Sequence, residues 1–163
     1  MNLFTLCSHS NQSLFMLATG GSRFCCWIWA GWEDINSVVE HWLTSSAEDQ
    51  MAAEKLQQAK LWGQTLFFLH LALEKKLKAI IVRQSREHAP FSHNLVYLLG
   101  KTNLPASEDM IEKLTTISGF NLTGRYPLEK QKAQLLLNKT FVSQWSGIAQ
   151  EIHQWLDLHL KPH

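Results

Sequence analysis

His70, Glu74 and Lys78 recur every four residues inside a stretch otherwise rich in leucine, isoleucine and alanine. On a helix that spacing sets an imidazole, a carboxylate and an ammonium in one line. Glu74 stands four residues before Lys78, the favourable order for a helical ion pair, worth about 0.2–0.5 kcal/mol when exposed. The plain reading is a solvated helix edge with a weak salt bridge. The functional reading is that Lys78 or Lys75 faces a phosphate and Glu74 orients it. His93 follows Ser92, a candidate N-cap. It either hydrogen-bonds locally in a first helical turn or contacts a ligand where backbone N–H groups attract anions. Arg125 lies between Gly124 and Tyr126, before Pro127. Its guanidinium can grip a carboxylate or phosphate bidentately. It can equally cap helix carbonyls or pair with Glu74 across the molecule. Tyr126 supplies an apolar body and a polar tip.

Elements with helical period must position these residues. Asp34 caps a first stretch expected over Ile35–Lys60, with Ile35, Val39, Trp42, Ala53 and Leu56 as its apolar stripe. Gly63 reads as a break. A second stretch, Gln64–Arg86, carries Leu66, Leu69, Leu73, Leu77, Ile80 and Ile81 and should lie centrally. Pro90 ends it. Ser92 opens a short helix over His93–Leu99, closed by Gly100. Ser107 with Glu108 and Asp109 starts a fourth, whose buried side should be Met110, Ile111, Leu114 and Ile117. Gly119–Pro127 reads as a loop. The last helix is expected to begin between Glu129 and Leu137, with Phe141, Trp145, Ile148, Ile152, Trp155 and Leu156 as its apolar face. No stretch alternates as a strand does, so the expected fold is an all-α bundle.

Composition narrows the function classes. The 163 residues suit one domain, with 45% hydrophobic and 18% charged side chains. Fifteen basic side chains against fourteen acidic ones give a net charge of +1, so no overall field favours wrapping nucleic acid. Seven tryptophans belong in helix packing or a subunit interface. Cys7, Cys25 and Cys26 form no CxxC pair, and the eight histidines form no HExxH, so no metal site is expected. A cysteine-free remainder fits a reducing cytoplasm. There is no Gly-rich phosphate loop and no GxSxG. Residues 1–32 read as a poorly ordered extension, or as translated upstream sequence outside the natural fold. The alternative is an apolar arm covering a partner's surface. The apolar run Leu14–Thr19 is too short to span a bilayer, and no basic region precedes it.

Four segments taken in order resemble the HEPN domain family (higher eukaryotes and prokaryotes nucleotide-binding). They are Ser46-Ala47-Glu48-Asp49, Leu71 to Ala79 around Glu74 and Lys78, His93-Asn94-Leu95 continuing to Leu99, and Arg125-Tyr126-Pro127. The resemblance runs from Ser37 to His159. It implies an up-and-down bundle of four long helices plus one short accessory helix, over residues 33–163 and commonly homodimeric. The fold would be related to nucleotidyltransferase substrate-binding domains. One branch of the family consists of metal-independent ribonucleases, often toxins, with an arginine followed four to six residues later by a histidine. Here Arg125 is followed by Tyr126, Pro127, Leu128, Glu129, Lys130, Gln131 and Lys132, so the acid–base group is missing. Arg83 with His88, and Arg86 with His93, match formally but lie away from the family position.

The resemblance therefore implies the other branch, whose members bind nucleotides or partner a small nucleotidyltransferase-fold protein, including in toxin–antitoxin pairs. The expected protein is cytoplasmic, without catalytic residues, cofactor, metal or membrane contact, and RNA ranks below a nucleotide as its ligand. Arg125, Lys78, His93 and Lys75 would contact phosphate, with Glu74 and Tyr126 orienting. Two alternatives stand beside it. One is a ribonuclease toxin using a displaced histidine. The other is a structural dimerisation or interaction module in which Arg125, Glu74 and His93 only knit the bundle.

Overall fold

The structure, a computed structural model, describes residues 34–125 and 137–160, the side chains of 122–125 excepted. The expectations for residues 1–32, and for Tyr126 and Pro127, lie outside the described residues. Within them, five helices follow one another: α1 (Ile35–Gln58), α2 (Trp62–Ser85), α3 (Leu95–Leu99), α4 (Glu108–Arg125) and α5 (Lys139–Leu158).

The four long helices alternate in direction. α1 and α2 are joined by a tight connection in which Lys60 adopts φ 60°. Val39 near the start of α1 packs on Ala79 and Val82 near the end of α2, and Ser46 Oγ donates to the Ala72 carbonyl at 2.7 Å. α4 runs against α2: the Asn103 N–H before it meets Gln84, and Ile117 within it meets His70. α5 returns alongside α2. Its first turns reach Gln57 through Ser143 and Ser146, its Asp157 pairs with Lys76 at 2.7 Å, and Arg83 donates to the Leu160 carbonyl beyond its end.

α2 is the hub, touching every other helix. Leu66, Leu69, Leu73, Leu77, Ile80 and Ile81, expected as its core stripe, are all buried. Full burial of each is worth about 1.5–3 kcal/mol. α1 turns a heptad-like face inward, Val39, Trp42, Ser46, Asp49 and Ala53, so two polar residues sit where the sequence reading places none.

Several boundaries differ from expectation. Gly63 does not break the chain; it is buried in the first turn of α2. There the backbone N–H groups need no helical partner, and a missing side chain costs least. The break falls at Ala59–Leu61 instead. α3 starts at Leu95, not His93. Asn94 is its cap, accepting from the Tyr97 N–H at 3.0 Å, while Ser92 accepts from the Asn94 N–H at 3.2 Å. Ser107 caps α4 as expected, through the Met110 N–H at 3.2 Å. The expected loop from Gly119 is helix as far as Arg125. A glycine costs about 1 kcal/mol relative to alanine in a helix interior. Phe120, buried edge-on against Phe141 and Trp145 at 6.3 and 5.6 Å, offsets that. Ile111, expected to be buried, is exposed. α5 starts two residues beyond the expected window, where Asn138 accepts from the Phe141 N–H at 2.9 Å.

Candidate functional site

The polar line of α2 is not a solvated edge. Glu74 is 4% exposed and His70 is fully buried, with α4 closing over them. A carboxylate there must find donors, because a buried unpaired charge costs several kcal/mol. It finds three. Lys78 Nζ donates to Glu74 Oε1 at 2.7 Å. His93 Nδ1 lies 2.9 Å from Oε2 and 3.1 Å from Oε1. His70 Nε2 stands 3.3 Å from Oε2, off the hydrogen-bond direction. Burial pushes the Glu74 carboxyl up. The surrounding His70, Lys78 and His93 groups outweigh burial and bring it down to about 2 from 4.5. The group is therefore a carboxylate, which only accepts. His93 must donate through Nδ1, and its Nε2 lies on the far side of a half-exposed ring.

Other sequence-selected residues have different company. Lys75 does not join Glu74; its Nζ pairs with Asp49 of α1 at 2.6 Å. Lys78 continues upward from Glu74 until its ammonium lies 5.2 Å from the centre of the Trp42 ring, a cation–π contact. Arg125 closes α4. At 1.5 Å rise per residue it stands about 12 Å beyond Ile117, while Glu74 lies about 6 Å from His70 in the opposite sense. The backbone therefore holds Arg125 roughly 18 Å along the bundle from the level of Glu74. Lys78, His93 and Glu74 are brought together; Lys75 pairs with Asp49 instead, and the Arg125 side chain lies outside the described ones.

Beside Trp42 a groove of about 710 Å³ opens between the first turns of α1 and the chain leading to α3. Ser37, Val38, His41, Trp42, His88, Ala89 and Phe91 line it. From sequence, Trp42 is expected only in the apolar stripe of the first helix, and His70 only as one member of the polar line of the second. The four-residue spacing from His70 to Glu74 is the available signal for His70. Nothing in the sequence marks the groove, because its two walls are separated by the whole of α2.

No group of three or more His, Cys, Asp or Glu side chains among the described residues is arranged to hold a metal ion. At Glu74 the place of a cation is taken by the Lys78 ammonium. None of the described helices is long and apolar enough to cross a membrane.

A model of the HEPN domain matches residues 39–159. No curated protein matches the chain. Among solved structures it is similar to TT1696 from Thermus thermophilus, with a TM-score of 0.61 and 19% identity over 73% of this chain and 95% of that one. A likeness at that identity speaks for the fold alone.

Proposed function

The chain belongs to the HEPN domain family, and from that premise we propose that it is a nucleotide-binding module rather than an enzyme. The observation that carries the reading is the buried Glu74 carboxylate, which ties the buried Lys78 ammonium and the half-exposed His93 ring to one place. A bundle core gains little from such a cluster, since apolar residues of the same volume are often as stable. Preorganised donors at the rim are what anion recognition requires. In this reading His93 and Lys78 meet phosphate, and Glu74 orients both. Lys75 contributes only by leaving Asp49. Arg125, with Tyr126 beside it in sequence, contacts a more distant part of an extended anion, because a lone phosphate would not span about 18 Å. The proposed assembly is a cytoplasmic homodimer paired with a small nucleotidyltransferase-fold protein, in the manner of a toxin–antitoxin system.

Titration of the purified protein with ATP tests the proposal. His93→Ala and Arg125→Ala should each weaken binding about tenfold or more, the loss of one charge-assisted contact. Arg125→Ala with unchanged affinity would remove Arg125 from the site.

A second reading has its own support. Lys75 and Lys78 are both already paired, with Asp49 and Glu74, as they would be in a module whose polar groups only hold helices together. His93→Ala would then lower thermal stability and leave ligand affinity per folded molecule untouched. The ribonuclease alternative keeps less, since His93 is committed through Nδ1 to Glu74 and no histidine follows Arg125 within the family spacing. Growth arrest and RNA cleavage on expression, both abolished by His93→Ala, would restore it.

A further inference from the structure

We propose that the groove beside Trp42 receives the planar base of the nucleotide, stacked on Trp42 and Phe91, with His41 and His88 addressing its edges. This rests on the reading above that the chain binds nucleotides, and it adds the part of the site that selects which one.

Four observations converge on the groove. Its volume, about 710 Å³, lies within the 300–1,000 Å³ typical of small-molecule sites. Rings line much of it, from His41, Trp42, His88 and Phe91, and none of the described residues that line it is acidic. Phe91 is 108% exposed, so its ring is fully open to solvent and is covered by none of the described residues. A phenyl group held fully in water beside a groove is an unused stacking surface, and base–aromatic stacking is worth about 1–3 kcal/mol per base. The two imidazoles can each donate and accept, as the edge of a base requires. His41 packs in an edge arrangement against Trp42, with ring centres 5.9 Å apart, so the two rings form one aromatic wall.

The groove is also joined to the phosphate cluster. Trp42 lines the groove and carries the Lys78 ammonium against its ring. Phe91 and His93 are two residues apart on one connection, and His93 is tied to Glu74. A ligand with its base on Trp42 therefore has its anionic end within reach of His93 and Lys78. Ser37 and His41, one turn apart on α1, complete the wall with a hydroxyl and a ring nitrogen.

Calorimetric titration of the full chain with ATP and with inorganic triphosphate separates the two parts. Phe91→Ala removes only an exposed ring, so the fold is not at risk. It should weaken ATP about tenfold and leave triphosphate unchanged, with Phe91→Trp keeping wild-type affinity. His41→Ala and His88→Ala should alter the ranking of ATP against CTP while triphosphate binding stays constant. If wild type binds ATP and all three alanine variants bind it equally well, the groove assignment is overturned and the nucleotide reading stands. Equal losses for ATP and triphosphate also overturn it, since the groove would then act on phosphate. If wild type binds neither probe, the nucleotide reading fails and this assignment with it.

Discussion

Glu74 is the pivotal residue. Its charge is kept in an apolar interior by partners from two segments, Lys78 from its own helix and His93 from the connection to α3. Glu74→Gln should destabilise the protein by about 3–5 kcal/mol in urea unfolding, because Lys78 would be left buried without its counter-charge. The acid side of the stability curve should show two steps. His153 is buried with no hydrogen-bond partner among the described residues on either ring nitrogen, and burial, with the Lys76 charge beside it, lowers its pKa from 6.5 to about 4. The unfolded chain takes that proton first, so stability falls as pH drops from 6.5 through 4, by about 3 kcal/mol for such a shift. His153→Leu should flatten the curve in that window. Glu74, brought down to about 2, gives stability that is present above pH 4.5 and lost as pH falls towards 2. Glu74→Gln removes that lower step and leaves the His153 step in place.

At the scale of elements, α2 organises everything and is the helix most legible in the sequence. Its leucine and isoleucine spacing marks the buried stripe residue by residue. That its polar line is covered as well is not legible, because it depends on which face of α4 lies across it. The same limit explains the other misses. Gly63 and Gly119 read as breaks on local propensity, yet packing of the first turn of α2 and of Phe120 keeps both in helices. Ser46 and Asp49 stand outside the expected apolar stripe of α1, and their burial follows only once Ala72 and Lys75 of α2 are placed opposite them. Of the candidate site, the Glu74–Lys78 pair follows from spacing. Its contact with His93 follows only from folding, since nineteen residues separate them. Helix ends supply a further check. Asn138 caps α5 through the Phe141 N–H, so Asn138→Ala should cost about 0.5–2 kcal/mol, and Asn138→Asp much less, by thermal unfolding.

At the scale of the whole molecule, a net charge of +1 leaves little long-range attraction for any anion. Under the proposed function, binding comes from a local arrangement, the Glu74 cluster with the adjoining groove. The up-and-down bundle provides the rigidity. α1 brings Trp42, α2 brings Glu74 and Lys78, and the connection to α3 brings His93 and Phe91 to the same end. With one shared site, ligand should raise the unfolding temperature of wild type more than that of a site variant. The most direct test is calorimetric titration of ATP into wild type and into His93→Ala, both shown to be folded at the temperature used. The expected result is saturable binding by wild type and a dissociation constant at least about tenfold weaker for His93→Ala. Absence of binding by wild type, or equal affinity in the two proteins, would contradict it.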